Sequence, residues 1–183
     1  MGLKILKCCS LFRQKHTTFT KMNSTAYISS ALGWLEIASS DEAICKLSLL
    51  DKEPALSIQN QPSPVIKTGI EELHAFFEGR LTQFSVPVAQ EGTIFQQRVW
   101  AELLKIPFGE TISYLELSRR IGDEKAIRAV GTTNGKNQIA IIVPCHRVIG
   151  SNGTLTGYAG GLWRKQWLLE HEMKIKHGVR MLF

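Results

Sequence analysis

The sequence lacks the cysteine spacing of a redox centre or a zinc site. Its four cysteines are Cys8, Cys9, Cys45 and Cys145, and no Cys-x-x-Cys pair occurs among them. Cys8 and Cys9 are too close in the chain for an ordinary disulfide or a tetrahedral metal site. A secretory signal is also missing. We therefore expect reduced thiols, no metal, no cofactor and a cytoplasmic location, or a nuclear one if the source is a eukaryote.

Long apolar runs are absent as well, and no stretch approaches the length of a transmembrane helix. The first 24 residues contain five Lys or Arg residues and no acidic residue, but no convincing apolar core of a targeting signal. We expect residues 1–24 to form a disordered basic extension, with Met22 as an alternative start.

Positive charge is concentrated at the two ends of the chain. Residues 1–24 carry a net charge of +5, residues 25–91 carry −5 and residues 92–183 carry +6, which gives +6 overall. The C-terminal half is therefore the candidate for contact with a polyanion, and the middle segment is not. A basic domain without such a partner is the alternative that charge alone leaves open.

A small α+β unit is predicted for residues 25–91. Residues 33–38 and 43–49 have strand composition, with a turn between them, and period-two alternation marks the second. A helix follows, because four apolar residues recur at helical spacing before Gly79: Ile66, Ile70, Leu73 and Phe77. We interpret residues 81–92 as a linker, and this half shows no chemical motif.

Residues 92–176 are predicted to be mostly helical, followed by a tail over 177–183. A first helix has Phe95, Val99 and Leu103 on one face. Ser113 and Glu116 fit the capping box of a second helix, which ends at Gly122. Asp123 can cap a third helix that runs to about Asn134. Two short helices joined by a tight turn fit a helix-turn-helix, and an ordinary helical hairpin is the alternative.

The third helix has few side chains that could recognise bases. Its long reader is Arg128, and its other residues fall into a small stripe (Ala126, Ala129, Val130, Thr133) and a second stripe (Lys125, Arg128, Thr132). Small side chains would let the helix approach a minor groove closely, so it would bind DNA with little sequence preference. The alternative is tight core packing, with Arg128 simply exposed.

The chemical candidates follow an apolar run at 139–143, which predicts a buried strand that ends at Pro144 and presents Cys145. A free cysteine is mostly protonated at neutral pH, so a nucleophilic thiol needs a base, and His146 is adjacent. Glu172 lies on the inward face of a helix predicted over 162–172 and could orient that histidine. A structural Cys-His pair and a surface glutamate at a helix end are the alternatives.

A glycine-rich segment at 157–161 precedes the last helix. It does not follow a strand in a dinucleotide-binding pattern, so it is a poor phosphate loop. We interpret it as a thin wall for a flat ligand, with Tyr158 on one side, or else as a plain flexible loop.

Together these motifs resemble the O6-alkylguanine-DNA alkyltransferase family, over roughly residues 92–173. The matching residues are Phe95-Gln96, Val99-Trp100, Ile106-Pro107, Gly109, Thr111, Ser113-Tyr114, Arg128-Ala129-Val130-Gly131, Asn137, Pro144-Cys145-His146-Arg147-Val148-Ile149, Gly157-Tyr158-Ala159-Gly160-Gly161, Leu168-Leu169 and Glu172. The resemblance implies an α+β fold: a small α/β, ribonuclease-H-like N-terminal domain and a mostly helical, winged-helix-like domain with a helix-turn-helix.

The resemblance also implies a reaction: irreversible, single-turnover transfer of an alkyl group from O6-alkylguanine in duplex DNA to Cys145, with O4-alkylthymine as a further candidate substrate. His146, through a water and Glu172, would keep the thiolate. Tyr114 would supply a proton to the leaving guanine, and Asn137 would brace the turn before the active site.

The implied partner is double-stranded DNA carrying the lesion, with no membrane contact and a monomeric protein. Arg128 would fill the stack vacated by a flipped base. The other DNA contacts are expected at Tyr114, Gln96, Lys125 and Ser151, and the pocket at Val148, Tyr158, Ala159 and Gly160. Since Gly160 is small, we predict that the pocket admits a benzyl group. A lesion sensor without chemistry and a cysteine hydrolase are the competing functions.

Overall fold

The computed structural model describes residues 22–55 and 62–178, which divide into two units between Glu91 and Gly92. The predicted basic extension lies almost wholly outside the described residues, as does most of the predicted tail. Within the described ranges, no helix is long and apolar enough to cross a membrane.

The first unit is built on an antiparallel sheet in the order β1-β2-β3, formed by β1 (Ser24–Ser30), β2 (Gly33–Ser39) and β3 (Ile44–Leu50). The two strands predicted from the sequence are confirmed as β2 and β3, and β1 was missed. Period-two alternation places Leu35, Ile37 and Leu47 in the core, where each is at most 1% exposed.

The predicted helix of this unit is confirmed as α1 (Pro64–Phe77), which Ser63 caps by accepting from the backbone N–H of Ile66. The linker interpretation of residues 81–92 is wrong. Val88 forms a parallel bridge with Ile44, and both are buried. This segment belongs to the core of the first unit because its alternate valines have apolar surface to bury.

Within its described residues, 92–178, the second unit carries four α-helices: α2 (Ile94–Leu103), α3 (Tyr114–Arg120), α4 (Ile127–Gly135) and α5 (Leu162–Lys176). Two short parallel strands, β4 (Ile112–Ser113) and β5 (Val148–Ile149), complete it. Gly122, with a φ of 82°, ends α3 in a conformation that favours glycine. Asp123 caps a separate 3-10 turn, Glu124–Ala126, ahead of α4. The predicted α+β fold is confirmed.

The strand predicted over residues 139–143 is wrong. These residues form a buried turn, in which the backbone N–H of Val143 donates to the carbonyl of Ile139 at 3.0 Å and Ile141 has a φ of 68°. An apolar run indicates that its residues are buried but not which backbone conformation they adopt. Here the side chain of Asn137 holds the backbone in a turn. Cys145 therefore lies ahead of a strand, β5, rather than at the end of one.

Candidate active site

Asn137 organises the turn that carries the cysteine. Its Oδ1 accepts from the backbone N–H of Ile139 at 3.1 Å, and its Nδ2 lies 2.8 Å from the carbonyl of Val143. The same Nδ2 lies 3.1 Å from the Sγ of Cys145. The Ile139 contact fixes which end of the amide is oxygen. Asn137 thus shapes the turn and also donates to the thiol.

Cys145 begins a 3-10 turn, Cys145–Arg147, and is only 5% exposed. Burial raises the pKa of its thiol, and the Asn137 amide, the charge of Lys165 and nearby backbone N–H groups lower it only in part. The thiol is therefore protonated at neutral pH in this DNA-free state. The resemblance implied a standing thiolate, and the structure instead requires the proton to leave during the reaction.

His146 is completely buried, and its Nε2 lies 2.8 Å from Oε1 of Glu172. The pKa of Glu172, which burial alone would raise, is held at about 2 by hydrogen bonds from His146 and Arg147 and by the charge of Arg147. An ionised carboxylate only accepts, so Nε2 must carry the proton. Burial also lowers the pKa of His146, so the ring is neutral and its Nδ1 holds a lone pair.

Glu172 is held by two further groups, which the sequence did not reveal. The guanidinium of Arg147 contacts both carboxylate oxygens, at 2.9 Å from Nε to Oε2 and 2.9 Å from Nη2 to Oε1. The backbone N–H of Gly109 donates to Oε2 at 2.9 Å. Gly109 has a φ of 67°, which explains a glycine there. His146 therefore rests on an immobilised anion.

The Nδ1 of His146 and the hydroxyl of Tyr158 are both buried, and neither has a hydrogen-bonding partner among the described residues. Burial raises the pKa of Tyr158 well above its ordinary value, and negative charge on Cys145 in its thiolate form acts in the same direction. Such groups normally find partners, so both are available to a water or a substrate.

Lys165 was missed as a functional candidate. It is fully buried on α5, where its Nζ donates to the carbonyls of Val148 at 2.6 Å and Thr156 at 3.0 Å. Burial lowers its pKa, and negative charge on Cys145 in its thiolate form opposes that shift. Lys165 lies three residues before Leu168 and seven before Glu172, so helical spacing places it on the same inward face of α5. The sequence alone could therefore have predicted that this lysine is buried.

The predicted pocket residues divide by burial. Val148 is fully buried, Gly160 is buried, Tyr158 is half-buried and Ala159 is exposed. The hydroxyl of Tyr114 accepts from Thr156 at 3.1 Å, which ties the start of α3 to the loop before α5. Since Lys165 already occupies the Val148 carbonyl, that oxygen can accept from a base only through its second lone pair.

The predicted DNA-contacting residues differ in what their side chains do in the structure. Lys125, Arg128 and Ser151 are exposed, and within the described part of the chain no carboxylate pairs with Arg128. On α4, Val130 and Thr133 are buried whereas Ala129 and Thr132 are exposed, so Arg128 lies on the outward face. Gln96 instead completes the capping box of α2, accepting from the backbone N–H of Thr93 at 2.8 Å.

Comparison with known proteins decides the family. The model described as 6-O-methylguanine DNA methyltransferase, ribonuclease-like domain, matches residues 24–90, and that of the DNA binding domain matches residues 94–174. The methylated-DNA–protein-cysteine methyltransferase of Mycobacterium tuberculosis (strain H37Rv) is 48% identical over 147 residues, covering 79% of this chain and 89% of that protein. The chain belongs to this family.

Other members of the methylated-DNA–protein-cysteine methyltransferase family agree. The constitutive protein of Bacillus subtilis (strain 168) is 41% identical over 145 residues, covering 76% of this chain and 88% of that protein. The crystal structure of Mycobacterium tuberculosis OGT in complex with DNA is 46% identical, covers 81% of this chain and 92% of that one, and has a TM-score of 0.74. The family resemblance predicted from the motifs is confirmed.

Proposed function

We propose that this protein repairs duplex DNA by moving the alkyl group of O6-alkylguanine irreversibly to Cys145, once per molecule. The observation that carries the proposal is a buried thiol followed in the same turn by a neutral imidazole, one nitrogen of which rests on an ionised carboxylate. Family membership supplies the class of alkyl donor.

The reaction follows from the protonation states. The Cys145 proton passes to Nδ1 of His146, through a bridging water, and Glu172 stabilises the imidazolium that forms. The sulfur then attacks the alkyl carbon, so that a C–S bond forms as the C–O6 bond breaks. Guanine leaves with the bonding electron pair and takes a proton from Tyr114. The product is a thioether, which is a poor leaving group, so the protein is not regenerated.

The DNA contacts are proposed from exposure and charge. α3 and α4 act as a helix-turn-helix that enters the minor groove, where the outward face of α4 presents Arg128 and the small Ala129. The lesion is flipped out of the duplex, and Arg128 fills the gap. Lys125 and Ser151 contact phosphates. The base enters beside Tyr158, Ala159 and Gly160, so that the loop at 157–161 forms the wall of the pocket.

The test follows the fate of the lesion on the DNA side. A duplex carrying one O6-methylguanine is mixed with increasing amounts of protein, digested to nucleosides and analysed. We expect ordinary guanine to replace the lesion in a fixed ratio of one per protein molecule, and Cys145→Ala to bind the duplex without repair. Repair that continues beyond one lesion per molecule, or repair by Cys145→Ala, would reject the proposal.

A further inference from the structure

Asn134 occupies a position that the mechanism above does not use. It lies in the last turn of α4, is 3% exposed, and points its amide at the active-site turn. Its Nδ2 donates to the carbonyl oxygen of Cys145 at 3.2 Å. The backbone carbonyl of Asn134 accepts from the backbone N–H of Asn137 at 3.3 Å. One residue of α4 therefore contacts both the backbone of Asn137, whose side-chain amide donates to the sulfur, and the backbone of the cysteine itself.

The two ends of the Asn134 side-chain amide cannot exchange places. Turning it over would bring Oδ1 against the Cys145 carbonyl, so Nδ2 must face that carbonyl. Oδ1 is then buried without a hydrogen-bonding partner among the described residues. A half-satisfied buried amide costs stability. The Cys145 carbonyl also accepts from the backbone N–H of Val148, so the fold does not depend on Asn134 to satisfy it.

The peptide that Asn134 holds is the one joining Cys145 to His146. Its oxygen receives the Asn134 amide, and its N–H, that of His146, is one of the backbone groups that lower the pKa of the Cys145 thiol. A hydrogen bond accepted at one end of a peptide polarises the group and strengthens the donor at the other end. The contact therefore acts on the sulfur through the peptide.

We propose that Asn134 is a positioning residue that, from α4, orients and polarises the Cys145–His146 peptide so that its N–H supports negative charge on the sulfur. It differs from Asn137, which donates to the sulfur directly. It also makes the reactivity of the thiol depend on where the end of α4 lies. The proposal rests on the proposed function only for the alkyl donor, since thiol reactivity is measurable without DNA.

Other ionisable groups act on the same sulfur or belong to its turn, and they must stay constant in any test. They are His146 in the same turn with Glu172 behind it, Lys165 on α5, and Tyr158 in the preceding loop with Arg164 near it. Replacement of Asn134 by leucine, a side chain of similar size, leaves all of them in place. Thr133→Val is the matched control, because Thr133 is buried on the same helix.

The experiment measures the rate at which iodoacetamide alkylates Cys145 in the intact protein as pH is varied, followed by the mass of the Cys145 peptide. For Asn134→Leu we expect the rate near pH 7 to fall about three- to tenfold and to converge with the wild-type rate at high pH, because the kinetic pKa of the thiol rises. Thr133→Val should follow the wild-type profile. The melting temperature of Asn134→Leu should stay within a few degrees of the wild type.

Asn134→Ser, whose hydroxyl is too short to reach the carbonyl, gives a second reading if leucine disturbs the packing. A wild-type pH profile in whichever variant remains folded would overturn the proposal, as would an equal loss of rate at every pH. A parallel assay with O6-methylguanine duplex tests the proposed alkyl donor separately from the proposed role of Asn134. Failure of transfer by the wild-type protein rejects the alkyl donor, whereas the iodoacetamide profiles alone decide the role of Asn134.

Discussion

Arg147 binds the carboxylate of Glu172 through two of its nitrogens, at 2.9 Å each, and shares the oxygen Oε1 with the imidazole of His146. Its remaining Nη1 donates to the carbonyl of Ile106 at 2.7 Å. Arg147, the residue after His146, thus fixes the carboxylate of Glu172, and that carboxylate in turn accepts from His146. The stretch from Cys145 to Arg147 therefore contains the proposed nucleophile, the proposed base and the residue that anchors the carboxylate behind that base.

Replacing Glu172 by glutamine should destabilise the protein strongly. Arg147 is 7% exposed and would lose the charge that compensates its burial. Removal of one partner of a buried ion pair typically costs about 3–5 kcal/mol of unfolding free energy. Denaturant titration measures the loss. Glu170→Gln, at an exposed site on the same helix, is the control and should change it by less than about 0.5 kcal/mol. A similar small loss in both variants would contradict the buried network.

The stability contributed by Glu172 should disappear in acid. Its pKa in the folded protein, about 2, lies below its ordinary value of 4.5. A depressed carboxyl pKa stabilises the fold above the ordinary value, and that stability is lost as pH falls toward the folded value. The difference in unfolding free energy between wild type and Glu172→Gln should therefore be constant above about pH 5 and shrink below it. A difference that persists unchanged to pH 3 would show that the carboxyl is not held as an ion.

Arg128→Ala should separate recognition of duplex DNA from the chemistry. The side chain is exposed on α4, away from the buried thiol, so reaction with a free base should keep its rate. Repair of a lesion in duplex DNA should slow by about tenfold or more, because an arginine no longer compensates the cost of flipping. Single-turnover rates on both substrates measure this. Arg119→Ala, at an exposed arginine paired with Glu124, is the control. Equal slowing on both substrates would contradict the role.

The pocket should admit a benzyl substituent because position 160 is a glycine. Free O6-benzylguanine should label Cys145, and Gly160→Val should reduce that rate by at least about tenfold while affecting transfer of a methyl group less. Gly135→Ala is the control, since this glycine lies on α4 outside the proposed pocket and a Cβ there would meet nothing within 4 Å. Competition with methylated duplex DNA gives the two rates. Resistance of the wild-type protein to benzylguanine would show that the pocket is closed to large groups.

Local patterns predicted the parts of the fold that depend on neighbouring residues. Ser113 caps α3 and Asp123 caps the turn before α4 as expected, because a cap depends on residues two or three positions away. Glu172 was placed on the inward face of α5 by helical spacing alone, and it is fully buried. The β1 strand was missed because residues 24–30 contain serines at both ends and only a short apolar alternation.

The rest depends on contacts between residues distant in the chain. The run at 139–143 is a turn because the Asn137 side chain binds its backbone, which no periodicity reports. The pairing of Arg147 with Glu172 spans 25 residues. The protonated thiol of Cys145 follows from burial, which a motif does not measure. Residue identities therefore indicated the chemistry, whereas the protonation states required the structure.

The most direct test of the account is the mass of the protein and of its Cys145 peptide after reaction with excess duplex DNA that carries one O6-methylguanine. The account predicts the addition of one methyl group, located on Cys145 and saturating at one per molecule. Tight binding to that duplex without any change in mass would contradict it, and would leave a protein that recognises the lesion without removing it.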